Sequence, residues 1–494
     1  MRIKNKLYRF YEILPGALVW STLLGAVVLS VFAPVAAICF VIIFDLYWLF
    51  RVIYFVFYIC LSWTRFRRSI KKDWLAELSK IKDKNWQEIY HLIFLPVSTE
   101  GEDVLRTTLK DLLAAAYPKD KFLIVLAGEE RTQEKFLPMV ENLKKDFAGA
   151  FGQFWVTAHP KDLPDEIPGK GSNLNYSGHE VKKKIDELKI PYDKIIVSAF
   201  DADTAVHPQY FAYLSYRFLT VRDPLRASYQ PIALYNNNIW QSSAPVRVAA
   251  LGTTFWLMTE LSRPERLFTF SSHSMPWQAL VDVDFWQKDI VSEDSRIFLQ
   301  CFFKYNGDYR VEPLFMPVSM DAVSGNNYRK SLVNLYKQQR RWAWGIENLP
   351  FMLWTFRSNR LISWQKKLKY TWNQGEGMFS WATAPLLIFL LGRLPFWFNE
   401  SNLSHSLLYQ NTPLILQWLM QSAMLGLLLS VILTIFLLPP RPSQVPFYRK
   451  GFMLLQWIIL PITLVIFGSI PAIDAQTRLM LGKYLEFNIT EKKR

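Results

Sequence analysis

From Leu18 to Leu61 the chain is almost wholly apolar, broken by Pro34, Asp45 and Arg51. A membrane-crossing helix needs about 20 apolar residues, so this run is too long for one crossing and fits two, turning near Pro34. Arg2, Lys4, Lys6 and Arg9 precede it, and Arg65, Arg67, Arg68, Lys71 and Lys72 follow. Basic flanks favour the cytoplasmic side, and two crossings return the chain to the side it started from. A second hydrophobic stretch follows directly and no small-residue cleavage site stands out, which argues against a cleaved signal peptide. Three further apolar stretches lie at about Met378–Leu391, Pro413–Leu438 and Phe452–Ile470. Five crossings would leave the C-terminus outside, yet Arg478, Lys483, Lys492, Lys493 and Arg494 argue for inside. Either one stretch is re-entrant, or the Phe452 segment, interrupted by Pro461, does not cross fully. The segment RLMLGKYLEF is amphipathic enough to lie in the interface. The expected organisation is an N-terminal membrane region over 1–73, a cytoplasmic domain over 74–360 and a C-terminal membrane region over 361–494, in the plasma membrane.

The formal charge of +15 does not call for nucleic acid, because much of it flanks the apolar segments. Cys39, Cys60 and Cys301 show neither metal-ligand spacing nor a disulfide framework, which fits a reducing compartment. The N-x-S sequences at Asn399 and Asn402 read as chance occurrences.

Between the apolar ends, strand and helix patterns alternate. HLIFLPVS (91–98), KFLIVLAG (121–128) and GQFWVTAH (152–159) read as strands. Helices are expected at Glu102–Ala116, with Leu105, Leu109, Leu112 and Leu113 on one face, around Glu134–Phe147 and at Asn173–Leu188. Trp74–Tyr90 reads as a juxtamembrane helix. Such alternation indicates a mostly parallel sheet with helices on both faces. Its centre is KIIVSAFDADTAVHP (194–208), where a buried strand stops at Asp201-Ala202-Asp203. Two carboxylates one residue apart at a strand end are costly without a positive partner. Mg²⁺ or Mn²⁺ is the natural one, since it bridges such oxygens to phosphate; taken alone, the pair reads as readily as a polar turn capping the next helix.

Three features accompany it. Gly169-Lys170-Gly171 opens a helix and is either a flexible turn or a place where backbone and Lys170 meet a phosphate. In VSEDSRIFLQCFF (291–303), Ser292 looks like an N-cap, with Glu293 and Asp294 in the first turn. These acids either stabilise a helix start or supply a general base, Asp294. In YKQQRRWAWG (336–345), Gln338, Arg341 and Trp342 stand at i, i+3 and i+4, so all three can point together. Arg341 offers a fork for phosphate and Trp342 a flat face for a sugar, on what is otherwise an ordinary basic amphipathic helix.

The order D-A-D, E-D some ninety residues on, then Q-x-x-R-W resembles the membrane-bound family 2 glycosyltransferases, relatives of cellulose and hyaluronan synthases. The resemblance covers about 89–350 and the helices on either side. It implies an α/β GT-A catalytic domain, Rossmann-like with a mostly parallel sheet, inserted between transmembrane helices. Asp201 and Asp203 match the D-x-D that holds the diphosphate through a metal. Asp294 matches the acid that deprotonates the acceptor. Gln338, Arg341 and Trp342 match the motif beside diphosphate and acceptor sugar. LPVSTE, ending at Glu100, resembles the opening strand and turn, and GKGSNLNY, with Lys170, the K-x-x-x-L-N segment near the donor. One departure is AGEER after the second strand, where the family usually has D-D-G-S against the nucleotide base; either Glu129 or Glu130 substitutes, or the contact is lost. His273, in the loop before Glu293, either takes part or is structural. The resemblance implies an inverting transfer from a nucleoside diphosphate sugar, a UDP-sugar first, to a glycan or lipid-linked acceptor, with the lipid bilayer as partner and no nucleic acid. A transporter with a regulatory insert and an inactive glycosyltransferase-like scaffold are the rivals. The full set of carboxylates argues against the scaffold, and the size of the insert argues against the transporter.

Overall fold

The computed structural model describes residues 5–398 and 407–485. Asn399, Asn402, Lys492, Lys493, Arg494 and the end of the RLMLGKYLEF segment lie outside the described residues. The four apolar runs become β1 (Tyr90–Pro96), β2 (Phe122–Glu129), β3 (Gln153–His159) and β4 (Ile195–Ala199), paired in parallel. β5 (Ala205–Val206), β6 (Ala227–Tyr235), β7 (Ser274–Pro276) and β8 (Arg310–Met320) complete an eight-stranded sheet of order β3-β2-β1-β4-β7-β6-β8-β5. β7 is antiparallel to both β4 and β6, and β6 is parallel to β8. It follows that β4, β6 and β8 end on the same edge as β1–β3. That carboxyl edge is where open α/β sheets bind ligands. Because β7 runs the other way, the residues just before it, Ser271–His273, reach the same edge.

Alternate strand residues bury on opposite faces. Leu92, Phe94, Leu123, Val125, Ile195 and Val197 belong to one core, and Ile93, Leu95, Ile124, Leu126 and Ile196 to the other. The helix Glu102–Ala114 covers the second core with Leu105, Leu109 and Leu112, while Lys170–Leu188 covers the first with Leu174, Val181 and Ile185. Each fully buried aliphatic side chain contributes roughly 1.5–3 kcal/mol. The expected helix over Trp74–Tyr90 is cut short: Trp74–Ser79 is helical and a single 3-10 turn follows at Trp86–Glu88. Trp74 packs 4.2 Å from Tyr213, but in Lys80–Lys84 only Ile81 packs on the core, too narrow an apolar face to hold further turns.

His91 is buried on β1 against Tyr117, Phe122 and Phe211, its Nε2 2.9 Å from Ser215 Oγ. Burial pushes its pKa from 6.5 down to about 3. The folded state therefore keeps it neutral while the unfolded chain takes up a proton. Stability present above pH 6.5 is lost as pH falls toward 3, at up to ~1.4 kcal/mol per pH unit. Unfolding measured from about pH 4 to 7 should show a shallower slope for His91→Gln than for wild type; equal slopes would clear His91 of this role.

Among the described residues, four helices are long and apolar enough to cross a membrane: Lys6–Phe32, Pro34–Ser69, Gln410–Leu437 and Arg449–Leu481. The bent pair Trp364–Phe389 and Leu391–Phe398 would make a fifth. The first two meet at Ala33, with Pro34 opening the second as anticipated. Val52 packs on Gly426 and Trp63 lies 5.7 Å from Phe436, so the second helix and Leu407–Leu437 run side by side in one direction. The Arg449–Leu481 stretch is broken by a 3-10 turn at Gln456–Ile459, by Pro461 and by a π turn at Val465–Ser469. Arg449 Nη1 donates to the Trp240 carbonyl at 3.1 Å, and Asp474 accepts from Arg340 at 2.9 Å and Tyr336 at 3.1 Å. The stretch thus stays beside the α/β part near both its ends. At its close, Arg9 Nη1 donates to the Leu479 carbonyl at 2.8 Å, and Glu12 accepts from the Tyr484 hydroxyl at 2.9 and 3.0 Å.

Candidate active site

Two helices begin at the carboxyl edge of the sheet, Lys170–Leu188 and Glu293–Lys304. A Cβ at Gly171 would come within 3.1 Å of the Gln287 carbonyl and 3.2 Å of Glu293 Cβ. Glycine at this position is what lets the two helix starts approach.

Their meeting brings Lys170 Nζ to 2.9 Å from Asp201 Oδ1 and 3.0 Å from both oxygens of Asp294. The side chains are 11%, 24% and 22% exposed, so the group is sheltered yet open to a ligand. Burial opposes the ammonium charge, but Asp201, Asp294 and Glu293 outweigh it and hold the Lys170 pKa above that of an ordinary lysine. Ser271 Oγ donates to the other Asp201 oxygen at 2.9 Å. Glu293 is buried, and burial first, then the Asp294 charge, push its pKa up to about 8.

The two carboxylates of D-A-D part company. Asp203 is fully buried, its Oδ2 accepting from the Asp321 backbone N–H at 2.8 Å, and its carbonyl accepts from Asn237 Nδ2 at 3.1 Å. Ser292 occupies the expected cap position but makes no side-chain cap bond; its hydroxyl donates to Glu347 Oε1 at 2.6 Å. His273 is buried, with Nδ1 3.0 Å from the Phe270 carbonyl and 3.9 Å from Asp294. Burial pushes its pKa down, so it is a neutral histidine that supports the loop. Glu100 Oε2 accepts from the N–H groups of Ser98 at 2.7 Å and Thr99 at 3.1 Å, which fixes the turn after β1. At the end of β2, burial raises the pKa of Glu129, while Glu130 accepts from Lys161 N at 2.9 Å.

The Q-x-x-R-W residues lie on the helix Tyr328–Ala343. Gln338 and Trp342 line a small, solvent-open cavity with Tyr235, Val246, Ala250 and Leu335. The Trp342 and Tyr235 rings are 5.6 Å apart. Arg341 is not among the cavity walls; its charge acts on Glu293. The three residues therefore serve two neighbouring spaces. Tyr235, Asn237 and Asp321 belong to no motif, and from the loop before Glu293 only His273 stood out; Ser271 in that loop precedes a strand of only three residues, too short for its periodicity to register.

Asp201 and Asp294 already converge on one cation, the Lys170 ammonium. Their hard oxygens suit Mg²⁺ or Mn²⁺ if the remaining ligands come from a diphosphate. Among the described residues no three of His, Cys, Asp or Glu form a metal-holding group by themselves. Asp201 fits as the cleft-side ligand, and Asp203 stands behind it.

The model of glycosyl transferase family group 2 matches residues 196–470, more than half of the chain. The chain belongs to this family. As a family 2 glycosyltransferase it carries the GT-A arrangement, a mostly parallel sheet flanked by helices. No curated protein matches it in sequence. Among solved structures, the mannosyltransferase PcManGT from Pyrobaculum calidifontis, in complex with GDP-Man and Mn²⁺, is similar at 13% identity and TM-score 0.44, covering 90% of this chain and 100% of that one. TarS 1-349 from S. aureus, in complex with UDP-GlcNAc, is similar at 12% identity and TM-score 0.33, covering 82% of this glycosyltransferase and 95% of its own chain.

Proposed function

We propose that the protein is an inverting, metal-dependent membrane glycosyltransferase of the D-x-D, E-D, Q-x-x-R-W type, akin to cellulose and hyaluronan synthases. It would move a sugar from a nucleoside diphosphate sugar, a UDP-sugar first, to a lipid-linked or polysaccharide acceptor. The observation that carries this reading is the Lys170 ammonium held between Asp201 and Asp294 at 2.9–3.0 Å on the carboxyl edge of the sheet. That arrangement sets a phosphate-seeking cation beside a carboxylate suited to a proton.

In this scheme Asp294 takes the proton from the acceptor hydroxyl as it attacks the anomeric carbon. Lys170 and Arg341 offset the charge that develops on the departing diphosphate. Glu100 shapes the donor side, and Gln338 and Trp342, with Tyr235, support the acceptor sugar. A single displacement inverts the anomeric centre. Mg²⁺ or Mn²⁺, when bound by Asp201 with Asp203 behind it, supplies Lewis-acid stabilisation of the leaving diphosphate. Residues 74–360 would form the cytoplasmic catalytic domain, with 1–73 and 361–494 in the plasma membrane.

The test is nucleoside diphosphate release by membranes carrying the protein, offered several nucleotide sugars. Release from one donor should require Mg²⁺ or Mn²⁺, stop with EDTA, and fall at least about a hundredfold in Asp201→Ala. Release that persists in EDTA would overturn the metal; transfer with retained configuration would overturn the single displacement.

A further inference from the structure

Away from the catalytic cleft, Arg247 and Arg449 sit close enough to feel each other's charge. Neither has a carboxylate partner among the described residues. Burial first, then Arg449, pushes the Arg247 pKa down. Arg247 Nε donates to Gln456 Oε1 at 2.5 Å and Nη1 to the Ser242 carbonyl at 2.6 Å. Gln456 is 6% exposed, yet its Nε2 has no hydrogen-bond partner. The hydroxyl of Ser243 is likewise buried and unpartnered. Ser243 is the N-cap of the helix Ala244–Leu261 but makes no capping bond. Two guanidinium groups, an idle amide donor, an idle hydroxyl and a helix N-terminus thus gather at one place. Buried donors without acceptors are rare in native proteins, and this set is complementary to an oxyanion with several oxygens.

The surroundings say what carries that anion. Phe447, Tyr448, Phe452 and Leu455, on either side of Arg449, are 59–74% exposed. The apolar helix Leu407–Leu437 ends beside them, where Asn236 Nδ2 donates to the Leu437 carbonyl and Trp240 Nε1 to the Pro439 carbonyl. An anion with an apolar tail fits such a border, because the bilayer that would cover these side chains reaches the site. Val246 and Ala250, on the helix that starts at this site, are also walls of the Trp342 cavity.

We propose that Ser243, Arg247, Arg449 and Gln456 bind the phosphate of a membrane amphiphile, and that this phosphate anchors the acceptor with its head group toward the Tyr235–Trp342 cavity. The anchoring of an acceptor rests on the glycosyltransferase reading above; the phosphate site does not.

The probe is phosphatidic acid, a lipid phosphomonoester, retained by the full-length protein in neutral detergent and counted by native mass spectrometry. Wild type should retain it. Arg247→Gln and Arg449→Gln should each lower retention about tenfold, while the neighbouring Lys450→Gln should not. Gln456→Leu, which removes the idle amide without touching charge, should weaken retention with folding intact by circular dichroism. Unchanged retention in the arginine variants, or equal loss in Lys450→Gln, would overturn the site. Displacement by inorganic phosphate at the same concentration as the lipid would overturn the amphiphile and leave a free-anion site. Asp294→Asn should retain the lipid although it transfers nothing, so a failed catalytic reading and a failed phosphate site give different results.

Discussion

Asp294→Asn is expected to abolish sugar transfer while donor binding survives. Asp294 stands in the first turn of its helix, where the dipole favours a carboxylate. It shares Lys170 with Asp201. Asparagine keeps the shape and one acceptor oxygen but cannot take a proton. Removing a general base costs roughly 10²–10⁴ in rate. The donor should be held within a few-fold of wild type, because Asp201, Lys170 and Arg341 remain. Transfer rate and the affinity for the nucleoside diphosphate, measured on the same preparation, separate the two effects. Loss of both, or transfer within about tenfold of wild type, would remove Asp294 from the role of base.

Lys170→Met should damage both stability and donor use. The ammonium is 11% exposed and sits between two carboxylates, with a third acid, Glu293, beside them. Breaking a buried charge pair typically costs ~3–5 kcal/mol. Asp201 and Asp294 keep part of their hydration, so about 2 kcal/mol is expected here. Denaturant unfolding reads that loss. The donor would also meet two carboxylates with no lysine to offset them, so its KM should rise by at least about tenfold. A variant as stable as wild type, with an unchanged KM, would mean that Lys170 is only a bystander between the acids.

The first half of the sheet was legible because its strands are short β-branched runs separated by helices of clear period. Leu105, Leu109 and Leu112 landed on the core as their spacing implied. The second half was not. β6 carries Pro231 and β8 carries Pro313 and Pro317, and proline normally argues against a central strand. The register shift between Pro231 and Ile232 accommodates that proline, and no local pattern announces it. Asp201, Lys170 and Asp294 stood out because each sits at a strand end or helix start, where side-chain chemistry and backbone position coincide. What spacing could not show is that Asp203 turns away from Asp201, or that Arg341 parts from Trp342. Both depend on β8 and the helix after it, whose placement is set by contacts across the whole sheet.

The contacts of Arg9 and Glu12 with Leu479 and Tyr484 have a consequence for how the protein is made. Arg9 and Leu479 are 470 residues apart in sequence. At ribosomal rates of about 5–20 residues per second, that interval is roughly 20–90 s. Throughout it the first helix is already synthesised while the carbonyls and hydroxyl it will hold do not yet exist. Arg9 and Glu12 have only each other in that period, paired at 2.8 Å in the finished molecule. The α/β part emerges, and can fold, between a helix laid down early and a partner made 470 residues later. Assembly of the apolar helices is therefore a late event in the life of each new chain, and any truncation before Leu479 would leave it permanently unfinished.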